Sequence, residues 1–211
     1  MNVQTGTLLF SDYALHAAVC ALVACAWVVF EVVLFLFLRR RTAGETGKTS
    51  ERGRELRSRA GLALQSLSYV VVLVFMRELF THIAPFGRIL DICVALSTVV
   101  LAAGSVWLMK SAFDRLGAQW SLTARVLAGH QLIVEGAYGC VRHPIYTGML
   151  GLLLATGLAV SHWAGLVAGL VIFWLGTMIR VRSEERLLRA AFGAEYEDYA
   201  RRVPAVLPGI Y

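Results

Sequence analysis

Two apolar stretches separated by three residues decide the fold of this chain: IYTGMLGLLLATGLAV at 145–160 and AGLVAGLVIFWLGTMI at 164–179. Each has 16 residues and no charged side chain, which gives roughly 24 Å of α-helix at about 1.5 Å per residue. A bilayer core is about 30 Å thick, so flanking residues must extend both helices. The short break Ser161-His162-Trp163 predicts that the two helices form a tight helical hairpin. Glycines on both stretches, including the GxxxG step Gly165–Gly169, favour close helix packing.

Three further apolar segments precede this pair, at 13–38, 62–76 and 89–109. Of the 211 residues, 58% are hydrophobic and 16% are charged, with a mean hydropathy of +0.66. Soluble domains are usually about 45–50% apolar and about 25% charged. The composition therefore excludes an ordinary soluble protein, a disordered chain and a disulfide-stapled secreted domain. The sequence predicts an all-α integral membrane protein with about five transmembrane helices, the last two paired as the hairpin.

The Lys and Arg residues are divided unequally between the two sides of such a protein. Segments 39–60, 110–144 and 180–202 carry 18 of the 20, and Arg77 and Arg88 are the other two. Because cytoplasmic loops are enriched in Lys and Arg, this pattern predicts an outside N-terminus and a cytoplasmic C-terminus. The net charge of +6 is a topology signal, since no basic stretch is interleaved with aromatic residues as in a nucleic-acid-binding domain.

Three polar side chains fall within or at the ends of the predicted spans. Glu31 lies eight residues before Arg39, roughly 12 Å deep by helix rise. An acid at this depth tends to face the bundle or a cavity, so pairing with another helix is the favoured interpretation and a substrate contact is the alternative. His16 and Asp91 lie near the outer ends of their spans, where we expect them to be solvated.

Polar residues without a packing explanation concentrate in the second half of the chain. Arg142-His143-Pro144 stands where the fourth span begins; Pro144 suits a first helical turn, and the helix amides there would face an anionic group. Arg180 and Glu184 are four residues apart and share one helix face, with Glu185 beside them. On the residues alone, interfacial placement, snorkelling and helix pairing remain open for these side chains.

Beyond the fifth span, apolar and aromatic residues recur at spacings of three and four. This periodicity predicts an amphipathic C-terminal helix that lies on the membrane or folds back onto the bundle. The residues that form the stripe are Leu188, Phe192, Tyr196, Tyr199 and Val203.

Three strings in this half occur in a fixed order: GAYGCVRHPIYTG at 136–148, Arg180 followed by Glu184-Glu185, and FGAEYEDYARRVPAVLP at 192–208. Together they resemble the isoprenylcysteine carboxyl methyltransferase family, whose wider superfamily includes phosphatidylethanolamine N-methyltransferases and small-thiol methyltransferases. The resemblance covers roughly residues 115–208. The chain departs from the family pattern at Ala137, where the family usually has proline.

The resemblance implies a membrane enzyme that uses S-adenosylmethionine (SAM) to methylate the C-terminal carboxylate of an isoprenylcysteine-like substrate, whose lipid part approaches from the bilayer. Arg180 would hold the acceptor group, and Glu184 or Glu185 would contact the cofactor or orient the reaction. The C-terminal segment would close over a cytoplasmic cofactor pocket. Carried over by position, the residues that form this pocket are Tyr138, His143, Pro144, Tyr146 and Gly148.

This interpretation divides the chain into an N-terminal transmembrane region, 1–110, and a catalytic region, 111–211. The first has three spans and a basic cytoplasmic loop at 39–60. The second has a cytoplasmic connector, the hairpin and the C-terminal helix. No metal is expected, because Cys20, Cys25, Cys93 and Cys140 lack ligand spacing.

Simple chemistry agrees with a carboxylate acceptor. A carboxylate is already an anion near neutral pH, so it needs a guanidinium to aim it and no strong general base. The alternatives are methylation of a phospholipid amine or a small thiol, an NADPH-dependent sterol reductase, and a non-catalytic membrane scaffold or transporter. Neither the residues nor the resemblance assigns an oligomeric state.

Overall fold

The structure, a computed structural model, describes residues 3–41, 52–77, 88–117 and 131–207. The centre of the predicted basic loop, 42–51, and Pro208 lie outside the described residues. Within the described ranges the chain forms seven α-helices and no β-strand, which confirms the predicted all-α fold. The helices are α1 (Val3–Arg41), α2 (Arg52–Val74), α3 (Arg88–Leu116), α4 (Ala137–Cys140), α5 (Pro144–Val160), α6 (Trp163–Phe192) and α7 (Ala194–Arg202).

Among the described residues, three helices are long and apolar enough to cross a membrane. They are Tyr13–Arg39 within α1, the whole of α3, and the whole of α6. α5 is apolar throughout but has only 17 residues. Large apolar side chains such as Val28, Phe35 and Val100 are exposed on the outside of the bundle, as lipid-facing residues are. These features confirm a membrane protein.

The bundle is built from two main helix pairs, α2 with α6 and α3 with α5. α1 covers the second pair, and its Val19 and Val23 pack into the largest buried cluster with Met109 of α3 and Leu152 of α5. α5 also contacts α6 and α2, so it joins the two pairs. The N-terminal helices therefore pack directly on the two helices that carry the predicted site.

Most of the glycines predicted to draw α5 and α6 together face other helices. A Cβ at Gly148 would lie 2.9 Å from the backbone oxygen of Ser105 in α3. A Cβ at Gly169 would lie 2.6 Å from Val72 in α2, whereas Gly157 does contact α6, at Leu166. Small residues are needed where helix backbones approach most closely, and here those places are the α3–α5 and α2–α6 contacts.

The end of the bundle at the α5–α6 turn is tied by backbone hydrogen bonds to the end of α2. The His162 amide donates to the Phe75 carbonyl at 2.8 Å, and the Arg77 amide donates to the Val160 carbonyl at 3.0 Å. The Arg77 guanidinium also donates to the Leu158 and Ala159 carbonyls, at 2.7 Å each. A cation at this position neutralises the partial negative charge at the C-terminus of α5.

Two predictions about polar side chains in the spans were wrong. Glu31 is exposed on the outer face of α1, because the neighbouring Phe30 packs into the core and successive helical residues are about 100° apart. His16 and Asp91 are not solvated: they are 4% and 2% exposed, with His16 Nε2 3.2 Å from Asp91 Oδ2. They are buried because α1 packs on α3.

The close packing of α2 on α6 predicts that Gly165→Ala is destabilising. The new Cβ would contact Phe75 Cβ and lie 2.6 Å from the Ser161 hydroxyl, and Phe75, directly after α2, is held by backbone hydrogen bonds to Val71 and His162. Overpacking of this kind costs about 1–3 kcal/mol, so the thermal unfolding midpoint in detergent micelles should fall. Gly104→Ala is the matched control, since nothing lies within 4 Å of its Cβ. Equal midpoints for the two variants would contradict the packing described here.

Candidate active site

The structure brings His143, Glu184 and Glu185 together where α5 begins. His143 caps α5, and Pro144 occupies the first helical turn as predicted. His143 Nδ1 lies 3.4 Å from Glu184 Oε2, and its Nε2 lies 3.4 Å from Glu185 Oε1. His143 and Glu185 are only 7% and 5% exposed. The imidazole therefore lies between two carboxylates that α6 supplies from adjacent positions.

A second chain of contacts joins Arg180, Tyr146 and Glu184. Arg180 Nε donates to the Tyr146 hydroxyl at 2.8 Å, and that hydroxyl donates to Glu184 Oε1. The Arg180 guanidinium lies 5.2 Å from the centre of the Tyr146 ring, and its Nη2 is 3.7 Å from Glu184 Oε1. Arg180 is 5% exposed. A buried guanidinium is thus held in one orientation by a tyrosine and a carboxylate.

Arg142 is a site residue that the sequence reasoning did not select. Its Nε and Nη2 both donate to Glu185 Oε1, at 2.9 and 2.7 Å. Its Nη1 donates to the carbonyls of Ala200, at 2.9 Å, and Val203. Its place beside His143 within the 136–148 string was the available signal. Arg142 links the start of α5 to α6 and to the chain after α7.

The segment after α7 runs across the start of α5. The Arg142 amide donates to the Pro204 carbonyl at 2.8 Å, and the His143 amide donates to the Ala205 carbonyl at 2.9 Å. The Thr147 hydroxyl donates to the Val206 carbonyl at 2.6 Å. The His143 amide therefore bonds this segment. It is not available to the anionic group that the sequence predicted at the start of α5.

Aromatic residues from α4 and α7 surround a small cavity of about 60 Å³ beside Arg142. Tyr199 donates from its hydroxyl to the Tyr138 carbonyl at 2.7 Å. Tyr196 is fully buried, and within the described part of the chain its hydroxyl makes no hydrogen bond. Burial, reinforced by nearby carboxylates, raises the pKa of Tyr138 and Tyr196, so both remain protonated. The residues that line the cavity are Leu116, Gln131, Leu132, Ile133, Tyr138, Arg142, Leu188, Tyr196 and Tyr199.

The predicted site residues are thus not all in one place. Tyr138 lines the cavity, while His143 and Tyr146 stack at 5.6 Å beside the carboxylates. Gly148 lies in the α3–α5 contact, where its Cβ would also meet Met109. The sequence placed Tyr196 and Tyr199 in an amphipathic stripe and in the 192–208 string but not among the site residues, and the fold of α7 onto the bundle is what brings them to Tyr138.

Several known proteins are similar in sequence to this chain. The phospholipid methyltransferase family model matches residues 93–195. Protein-S-isoprenylcysteine O-methyltransferase B of Arabidopsis thaliana is 30% identical over 151 residues, which are 70% of this chain and 71% of that protein. The Schizosaccharomyces pombe protein-S-isoprenylcysteine O-methyltransferase is 29% identical over 48% of this chain and 44% of its own length. Methanethiol S-methyltransferase 2 of Bradyrhizobium diazoefficiens is 35% identical over 47% of this chain and 38% of that protein.

The all-helical membrane fold and these matches place the protein in the class of membrane methyltransferases. Within that class, the chain belongs to the isoprenylcysteine carboxyl methyltransferase family, since the Arabidopsis relative matches it over more than two thirds of both chains.

The environment of His143 predicts a pH-dependent stability. Burial lowers the pKa of His143, but the Glu184 and Glu185 carboxylates outweigh burial and raise the pKa above 6.5. A raised pKa stabilises the folded state fully below the unfolded value of about 6.5 and loses that effect as pH rises through the folded value. The difference in thermal midpoint between wild type and His143→Gln should therefore shrink on going from about pH 6 to 9. A difference that grows with pH would contradict this charge state.

Proposed function

We propose that this protein transfers the methyl group of SAM to the C-terminal carboxylate of an isoprenylcysteine-like lipophilic acceptor. The observation that carries the proposal is the buried Arg180 guanidinium, oriented by Tyr146 and Glu184 directly after the apolar run 164–179 of α6. The names of the isoprenylcysteine methyltransferase relatives support the same acceptor class.

The membrane arrangement proposed with it has five spans, formed by α1, α2, α3, α5 and α6. Contacts of Gly157 with Leu166 and of Tyr146 with Arg180 support an antiparallel α5–α6 hairpin around Ser161 and His162. The excess of Lys and Arg on one side supports an outside N-terminus and a cytoplasmic site. In this arrangement 1–110 supplies most of the lipid-facing wall and 111–211 supplies the reacting groups.

The side chains around the cavity suit a cofactor that has an aromatic ring system and a positively charged sulfonium. Tyr138, Tyr196 and Tyr199 offer ring faces, and Glu184 and Glu185 place negative charge nearby. Among the described residues, the buried Tyr196 hydroxyl makes no hydrogen bond that a ligand would have to displace. The cavity of about 60 Å³ is well below the roughly 300 Å³ of a typical ligand pocket, so it could take only part of the cofactor.

The cofactor, when bound, supplies an electrophilic methyl group. We assign Tyr138, His143, Pro144 and Tyr146 to its pocket, with Gly148 acting on the pocket through helix packing. Glu184 and Glu185 balance positive charge there, and the segment 203–206 covers the start of α5 and keeps water out. Methyl transfer depends mainly on alignment of the two reacting atoms, which these buried, mutually bonded side chains can provide.

Arg180 is assigned to the acceptor. Its guanidinium can bind a carboxylate through two parallel N–H donors, which aims one carboxylate oxygen at the methyl donor. The carboxylate arrives already ionised, so the site needs no strong base. The apolar tail of the acceptor would stay in the bilayer, because Arg180 directly follows the apolar run 164–179.

Arg180→Ala should separate acceptor binding from cofactor binding. We expect its affinity for S-adenosylhomocysteine, measured by calorimetry in detergent, to stay within about twofold of wild type, while turnover falls by about a hundredfold or more. Arg180→Lys keeps the charge, lacks the bidentate geometry and should also lose most turnover. Arg186→Ala is the matched control, because Arg186 is exposed and its guanidinium donates to the Arg182 carbonyl of the same helix. Unchanged turnover in Arg180→Ala would remove Arg180 from the acceptor site.

His143→Ala, by contrast, should weaken cofactor affinity about tenfold.

The acceptor class is tested by transfer of a radiolabelled methyl group in membranes that contain the protein. The panel is an N-acylated prenylcysteine, phosphatidylethanolamine and methanethiol, the last two chosen because the family model and the Bradyrhizobium relative carry those acceptor names. We expect label on the prenylcysteine as a base-labile ester. Label on the amine or the thiol would overturn the carboxylate assignment, and NADPH binding without SAM binding would overturn the methyltransferase assignment.

A further inference from the structure

The backbones of α2 and α6 approach each other closely beside Arg180. A Cβ on Gly61 of α2 would lie 2.8 Å from the Gly176 carbonyl oxygen, and a Cβ on Gly176 would lie 2.7 Å from the Gly61 carbonyl oxygen. Real Cβ atoms essentially never come this close to a backbone oxygen. The two backbones therefore meet only because neither residue has a side chain. Gly176 is one helical turn before Arg180. The Gly61–Gly176 contact therefore determines which atoms pack against the stem of Arg180, the aliphatic part of its side chain.

Gly61 forms one wall of the space that the Arg180 stem occupies. A Cβ on Gly61 would lie 2.6 Å from Arg180 Cγ and 3.4 Å from Arg180 Cδ. The stem thus lies where any larger residue at position 61 would place its side chain. On its other side, the head of Arg180 bonds Tyr146 and approaches Glu184. Three helices, α2, α5 and α6, together determine where the guanidinium points.

A buried hydrogen bond one turn further along α2 maintains this alignment. Gln65 Nε2 lies 2.9 Å from Thr177 Oγ1, and both side chains are almost fully buried. A shift of α2 along α6 would break this bond in an apolar environment, where a replacement partner is scarce. The Gln65–Thr177 bond therefore keeps Gly61 opposite Arg180.

We propose that Gly61 is a positioning residue for the methyl acceptor: by lacking a side chain, it lets Arg180 lie against α2 with its guanidinium directed at Tyr146 and the acceptor carboxylate. This inference rests on the proposed function of Arg180. It places a determinant of the site in α2, within the region whose sequence indicated only a membrane wall.

The test compares Gly61→Ala with Gly169→Ala. Both residues lie in the α2–α6 contact, and both alanines would clash, since a Cβ on Gly169 would lie 2.6 Å from Val72 Cγ2. Only the Gly61 variant pushes on Arg180. We expect Gly61→Ala to lower kcat/KM for the prenylcysteine acceptor by about tenfold or more, because small misplacements of a positioning group have large effects on rate. The affinity for S-adenosylhomocysteine should stay within about twofold. Gly169→Ala should lower the thermal midpoint and leave kcat/KM within about twofold.

A double-mutant cycle of Gly61→Ala and Arg180→Ala, measured by thermal stability, tests the same contact without relying on activity. It therefore remains informative if Gly61→Ala loses activity because it is unstable. Removal of the Arg180 stem relieves part of the clash, so Gly61→Ala should cost less stability in an Arg180→Ala background than in wild type. The corresponding cycle with Gly169→Ala should be additive. Equal losses of kcat/KM in the two alanine variants, or an additive Gly61–Arg180 cycle, would overturn the proposal. A wild-type protein that methylates no prenylcysteine would instead refute the proposed function.

Discussion

The pairing of buried charges at the start of α5 is the interaction on which the rest of the site depends. Glu184 and Glu185 follow the apolar part of α6 and are largely buried, and an unpaired carboxylate there would be very costly to bury. Arg142 and His143, directly before α5, and Arg180 of α6 supply the compensating donors. Because each donor also bonds another element, the same contacts that neutralise the carboxylates hold α5, α6 and the chain after α7 in place.

Membrane embedding explains why the helices are brought together by glycine. Lipid is as apolar as a leucine side chain, so burial of hydrophobic surface does not by itself drive helices together in a bilayer. Close backbone contact and buried hydrogen bonds must do so instead. Gly148 allows α5 to approach α3, and Gly176 allows α6 to approach α2, where the Gln65–Thr177 bond adds a polar contact. The helix that bears Arg180 is therefore positioned by the packing of the N-terminal half.

Sequence reasoning was most successful where the signal is local. Apolar runs predicted the helices, Pro144 predicted the start of α5, and the spacing of Tyr196 and Tyr199 predicted an amphipathic α7. It failed for Glu31, His16 and Asp91, because which face of a span meets another helix depends on the neighbouring helices. It also missed Arg142, whose partners lie 43 and 58 residues away at Glu185 and Ala200.

The sequence by itself determined that the chain is helical and that it belongs in a membrane, and it predicted that the chemistry concentrates around His143–Tyr146 and Arg180–Glu185. Those properties follow from composition, periodicity and short ordered strings. Only the tertiary structure decided that the glycines of α5 and α6 serve contacts with α3 and α2, and that Gly61 lies against Arg180. The physical reason is that helix periodicity defines the faces of one helix, whereas contact between two faces depends on the shapes and bonds of both helices.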